Sequence, residues 1–490
     1  MEKKMAVRAA AVLLLGMMLA GCAASGSAGV KKVKLDPDQP VSLTLWHYYN
    51  GTQQATFDRL IEEFNATVGK DEGIYVEGYS QGSVSDLEKA ITSALQNEVG
   101  ADDLPDMFSS YADTAYAVQK RGMLVDLTDY FSTDELADYV DSYIQEGYFN
   151  DDGALYLLPV AKSTEIMMLN KTDWEPFAKE TGTTLAELST VEGIIDVAER
   201  YYKWTDAQTP DVPDDGKAFY GRDAMANYFV IGMRQMGKEI FEVKDGSITF
   251  HTDKKLIRRL WDDYYVPYIK GYFGAYGKFR SDDVKTGDIL AYTGSTASSF
   301  YFPDEVEKDN NSYPIDFVVM PAPVMEGGDR YNVQQGAGIA VTKSDESHEY
   351  ASAVFLKWFT QKEQNLQFVC ESGYMPVLKE ANSMEALDQV LAEQDITMNE
   401  KAYVCLETVL TDFDQTKFYV TKNFEHGYDA RQVLEHALSD QAVADKETIG
   451  EAVKAGTSRA DAIAEYTSDE TFDNWYVAFC EALKKAARVK

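Results

Sequence analysis

Residues 43–57 read LTLWHYYNGTQQATF, and their reading decides the fold. The stretch begins as a strand: Val41, Leu43 and Leu45 alternate with Ser42 and Thr44, the period of a chain with one face buried. It ends as a helix, with Thr52 as a candidate N-cap and Phe57, Leu60, Ile61 and Phe64 at helical spacing. Between the two stand Trp46, His47, Tyr48, Tyr49 and Asn50. Rings that also hydrogen-bond serve a core, a metal, a reaction or a ligand.

The same alternation continues downstream. GIYVEGYS (73–80) reads as a second strand, and SVSDLEKAITSALQ (83–96) as a helix with Leu87, Ile91 and Leu95 on one face. PDMFSSY (105–111) is a third strand, and the helix after it closes at Gly122. Strands alternating with helices predict a parallel or mostly parallel sheet with crossover helices. Three extended, proline-bearing runs then interrupt the pattern: ALYLLPVAKSTEIMMLN (154–170), IDFVVMPAPV (315–324) and ESGYMPVL (371–378). Proline suits an edge or crossing segment better than a central strand. A chain passing three times between two α/β lobes gives this pattern, and a cleft between lobes is a natural ligand site. Helices are expected near Thr190–Trp204 and Asp253–Tyr265, along Ala351, Val354, Phe355, Trp358 and Phe359, and through most of the chain after Glu380.

The N-terminus belongs to a different category. Lys3, Lys4 and Arg8 precede an apolar run, Ala9 to Ala20, too short to span a bilayer and ending in small residues, as in a secretory signal. The run ends in LAGC (19–22), which resembles the lipobox of bacterial lipoproteins. The resemblance implies a signal peptide over 1–21, lipidation of Cys22 and a linker over 22–40. The 490 residues suffice for two domains, and a 45% hydrophobic fraction fits a soluble globular chain. A formal charge of −35 argues against nucleic acid, and against holding anionic lipid by charge. Cys370, Cys405 and Cys480 are too few for a disulfide scaffold and read as buried thiols.

Catalytic signatures are missing from the sequence. It has no HExxH, GxSxG, P-loop or GxGxxG, and its five histidines lack zinc spacing. KTG occurs at Lys285–Gly287, as in penicillin-recognising enzymes, but no serine is followed three positions later by lysine. Glycosidase carboxylates have no signature in so acidic a chain, so that reading is unsupported rather than excluded. No metal and no cofactor are assigned.

LTLWHYYNG, LPDMFSSY, GMLVDLTDYF, LYLLPVAKSTEIMMLNK, GDILAYTGSTASS, GAGIAVTK and ESGYMPV occur in one order between Leu43 and about Leu378. That ordered set, with the lipobox, resembles the extracellular solute-binding proteins of ABC importers, in the branch of maltose-, oligosaccharide- and glycerol-phosphate-binding proteins. The resemblance implies two α/β lobes, each a mostly parallel sheet flanked by helices, with crossings near Leu158–Val160, Val318–Pro321 and Tyr374–Pro376. Lobe 1 would comprise 41–158 and 320–370, and lobe 2 159–319 and 371–490. It implies a monomer, anchored to the cell membrane by lipid and facing outward, that closes on a sugar or oligosaccharide and delivers it to permease subunits without covalent chemistry. Glycerol-phosphate binders of the branch place an arginine just upstream of a late helix. The matching stretch, KNFEHGYDAR, has Asn423 near that place, which favours a neutral sugar over a phosphate. A surface glycosidase and an adhesin or sensor lipoprotein are the readings from other classes.

A pyranose offers an apolar face to aromatic rings and a rim of hydroxyls to polar groups, each costing about 1–3 kcal/mol if buried unpaired. The candidates are Trp46, Tyr48 and Asn50 on the first connection, Ser83 heading the second helix, and Tyr111 and Asp113 ending the third strand. Ser163 and Thr164 follow the first crossing, Asn227 lies in MANYF, Ser295 and Ser298 follow LAYTG, and Tyr374 lies on the third crossing. Trp204 and Tyr276 are further rings whose other role is core packing.

Overall fold

The computed structural model describes residues 30–150, 152–244, 247–308 and 311–488; the expected signal peptide, Cys22 and the first part of the linker lie outside them. The chain opens with β1 (Val41–His47), α1 (Gly51–Ala66), β2 (Ile74–Ser80), α2 (Val84–Gln96), β3 (Met107–Ser110) and α3 (Ala112–Gln119). After β4 (Leu158–Pro159) come β5 (Glu165–Asn170), β6 (Tyr220–Arg222), α4 (Met225–Gln235), β7 (Ala291–Ser295) and β8 (Phe317–Pro321). β9 (Tyr331–Val333) and β10 (Gly338–Val341) lead to α5 (Glu346–Phe359), α6 (Lys362–Ser372) and α7 (Glu400–Thr411). β11 (Lys417–Tyr419) and α8 (Gly427–His436) precede the helices Ser439–Lys454, Arg459–Tyr466 and Asp469–Ala486.

Two sheets organise two lobes. In the first the order is β2-β1-β3-β10-β4, with β1 parallel to both neighbours and β10 antiparallel to β3 and β4. Its core is built by the periodicities seen in the sequence: Leu43 and Leu45 from β1 and Phe57, Leu60 and Phe64 from α1 are fully buried. α1 meets α5 through edge-on contacts of Phe57 with Phe359 and Phe64 with Phe355. The second sheet has the order β8-β5-β7-β6, and there only β6 and β7 run parallel. The expectation of mostly parallel sheets therefore holds for β2-β1-β3 alone: β10 makes the first sheet mixed, and the second lobe's sheet is mixed as well. The antiparallel pairs β5/β7 and β5/β8 cause this: β5 enters from the first lobe and runs against both neighbours.

The crossings are drawn together by backbone pairing. Ser163 and Gln335 exchange hydrogen bonds of 2.8 and 3.0 Å, and the Lys162 N–H donates to the Met375 carbonyl at 3.1 Å. The second crossing lies at Gln334–Ala337, not near Val318–Pro321. That apolar run is β8, an edge strand with Pro321 at its end, where a missing N–H costs nothing. Gly336 adopts φ +95°, and a Cβ there would stand 2.6 Å from the Ala161 carbonyl oxygen, so only glycine lets the two crossings meet. α7 packs on β8, and the helices after Gly427 bury Leu434, Ile449, Phe472 and Phe479 in the second core.

Candidate ligand site between the lobes

The rings after β1 divide by direction. His47 and Tyr49 turn into the first core: His47 lies edge-on to Phe57 at 5.0 Å, and Tyr49 lies 5.1 Å from Phe368. Burial pushes the His47 imidazole down to about 4, so it is neutral. Trp46 is buried in the same core. Tyr48 is buried in that cluster too, but its hydroxyl is turned to the crossings. Its Oη lies 3.3 Å from Tyr374 Oη and accepts from the Ala337 N–H at 3.4 Å, which joins the first connection to the second and third crossings. Burial pushes both phenols well above their ordinary range, and that of neighbouring Tyr111 up to about 12. The three therefore present neutral hydroxyls at physiological pH.

Opposite them, Asn227 on α4 is fully buried and donates to Glu165 Oε1 at 2.9 Å and Gln335 Oε1 at 3.2 Å. Arg222 closes on the other oxygen of Glu165 at 2.8 Å. Asn227 Oδ1 accepts from Arg431 on α8. Arg431 in turn offsets the effect of burial on Asp113, whose carboxyl is pushed up to about 6. On α2, burial pushes Glu88 up to about 7, with the Thr114 hydroxyl donating to it at 3.3 Å. Beneath the crossings Lys162 is buried and paired with Glu146 at 2.6 Å, donates to the Gly336 carbonyl at 2.8 Å, and Gln334 donates to the same Glu146 oxygen at 2.7 Å.

Two openings flank this centre. One, of about 930 Å³, lies between α2, α3 and residues 424–429, with Glu88, Asp113 and Tyr428 on its walls. The other, of about 590 Å³, is lined by Glu146, Asn150, Thr421 and Asn423.

Most of the other candidates are occupied by local partners. Asn50 is exposed at the head of α1 and, not Thr52, occupies the N-cap position. Ser83 caps α2, its hydroxyl donating to Asp86 Oδ2 at 2.6 Å. The Thr164 hydroxyl donates to the Val333 carbonyl at 2.7 Å, while Ser163 is buried on the first crossing. Ser295 caps the turn after β7, and Ser298 donates to the Ser295 carbonyl at 2.6 Å. Trp204 packs on Phe177 with its Nε1–H on Glu180, and Tyr276 is 56% exposed beside Lys446. Cys370 and Cys405 are buried free thiols and Cys480 is partly buried.

Sequence reasoning missed Glu88, Glu146, Gln335 and Arg431. In the KNFEHGYDAR stretch Asn423 lines the second opening, while Arg431 lies within α8 rather than upstream of it and bonds to Asn227. Ala430 and Leu434 are buried one turn apart, which puts Arg431 beside the buried stripe of α8.

Two α/β lobes joined by three paired crossings, with hydroxyl, amide and charged groups converging between them, define a binding protein built around an interlobe cleft. The chain belongs to the bacterial extracellular solute-binding proteins, whose family model matches residues 59–399. Among solved structures it is similar to the cyclic α-maltosyl-1,6-maltose binding protein of Arthrobacter globiformis, at 18% identity over 92% of this chain and 100% of that one, with a TM-score of 0.64. UgpB of Mycobacterium tuberculosis, solved with glycerophosphocholine, matches at 17% identity over 91% and 99%, with a TM-score of 0.63. An ABC substrate-binding protein of Listeria monocytogenes, solved with cycloalternan, matches at 16% over 90% and 100%, with a TM-score of 0.60. At these identities the likeness carries the fold. No curated protein matches the sequence. Among the described residues no helix is long and apolar enough to cross a membrane, and no group of His, Cys, Asp or Glu is placed to hold a metal ion.

Proposed function

We propose that this exported protein, anchored through Cys22, captures a neutral sugar or oligosaccharide between its lobes and hands it to an ABC importer without covalent chemistry. The observation that carries this is the convergence of Tyr48, Tyr111 and Tyr374 hydroxyls with Asn227 and Arg431 across the lobes. Neutral phenols suit sugar hydroxyls, which need a partner for each buried oxygen. Asp113 and Glu88 stand on the same ground as Arg431 and disfavour a phosphate. Family membership and the saccharides in several similar structures support the same reading.

Arg431 itself favours a second reading, a glycerophosphodiester, because a guanidinium matches phosphate oxygens. A thermal-shift screen of the purified full chain against mono- and oligosaccharides, glycerol phosphate and glycerophosphodiesters separates the two. A concentration-dependent rise with one saccharide class is expected. A rise with phosphodiesters alone assigns Arg431 to phosphate and ends the sugar reading. Membrane fractionation of Cys22→Ala tests the anchor: the variant should leave the membrane fraction, and an unchanged fraction contradicts lipidation.

A further inference from the structure

We propose that Gly427 and Asp113, together with Arg431, form a latch across the cleft that sets how far the lobes close. The inference rests on the two-lobe hinge but not on the identity of the solute.

α8 is fixed to the second lobe. Ala430 and Leu434 lie in the second core, and the Glu435 carboxylate accepts from the Met225 and Ala226 N–H groups at 3.2 and 2.8 Å. Its first residue nevertheless touches the first lobe. A Cβ at Gly427 would stand 2.6 Å from Asp113 Oδ1 and 3.0 Å from Asp113 Cγ, so a side chain there displaces the Asp113 carboxylate from the head of α8. The approach is shaped by His426, which holds φ +65° and turns the chain so that α8 begins at Asp113. Attraction acts at the same point. The α8 N-terminus carries partial positive charge, Arg431 adds a full charge one turn on, and Asp113 supplies the anion from the other lobe. Asn227 holds the Arg431 guanidinium from behind. Glu88 also faces this point, so loss of Arg431 takes the counter-charge from both Glu88 and Asp113.

Glycine at this position has no backbone reason. Unlike Gly336, it is not among the glycines with positive φ, and it opens a helix in which alanine is the better former. What the missing Cβ permits is the close approach of the Asp113 carboxylate from the other lobe.

The test is an interlobe distance measured on the full chain with no solute added. Spin labels go on Asp102→Cys in lobe 1 and Glu451→Cys in lobe 2, both exposed positions, in a Cys480→Ser background. The parent should show a short-distance population. Gly427→Ala and Arg431→Met should each lower the closed-to-open ratio at least tenfold while circular dichroism stays unchanged. Gly450→Ala, a helical glycine with nothing within 4 Å of a new Cβ, should keep the parent ratio. A parent lacking the short-distance population overturns the latch. So does a parental ratio in both Gly427→Ala and Arg431→Met.

Discussion

The connection after β1 and the segment 424–431 meet at the same cleft by opposite routes. Residues 46–50 follow directly from a strand whose alternation is written in the sequence, so their place at the carboxyl end of an interior strand is fixed by local pattern. Residues 424–431 have no such guide. His426 is in a left-handed conformation, Gly427 abuts another lobe, and Arg431 is positioned by Asn227, 204 residues earlier. Local periodicity places a backbone; only long-range packing decides which side chains face one another.

Substitutions can break this contrast. The largest effect should come from the point where the crossings join. Lys162→Met leaves Glu146 buried without its cation and should cost about 3–5 kcal/mol of stability by denaturant unfolding. A loss below 1 kcal/mol would show that the pair is not structural. Next, Tyr49→Ala should cost about 3–5 kcal/mol, because the ring fills the first core among Phe57 and Phe368. Its neighbour Tyr48→Phe removes two long hydrogen bonds and should cost only about 1–2 kcal/mol, yet weaken solute binding. Equal stability losses at the two positions would erase the division of the ring cluster.

His47 sharpens the comparison through pH. Its imidazole titrates at about 4 in the fold against about 6.5 unfolded, so the unfolded chain binds more protons between those values. Stability from this group is complete above pH 6.5 and falls as pH drops through the window. Parent relative to His47→Leu should lose about 2 kcal/mol between pH 7.5 and pH 5. Glu88 and Asp113 act in the opposite sense, since their raised values make the folded state the better proton acceptor, so only the difference between the two proteins isolates His47.

Much of the architecture was legible because it repeats short periods. The strand at Val41–His47, the helical face of Phe57, Leu60, Ile61 and Phe64, and the helix with Leu87, Ile91 and Leu95 stand where periodicity put them. Phe317–Pro321 misled because an edge strand and a crossing share the same apolar, proline-ended signature. At the candidate site, Tyr48 and Tyr374 stood out by their positions on connections, and their hydroxyls meet. Ser83 and Ser295 show the cost of that logic: a serine at a helix head satisfies its own backbone first. Arg431 was in plain sight in KNFEHGYDAR, but its direction depends on which face of α8 is buried.

The central claim is that the tyrosine cluster between the lobes binds the solute. Isothermal titration of the saccharide that raises the melting temperature most, into the parent and into Tyr48→Phe/Tyr374→Phe, tests it most directly. Both proteins stay folded, and the account predicts an affinity at least tenfold weaker in the double variant. Unchanged affinity would place the solute elsewhere and contradict the site.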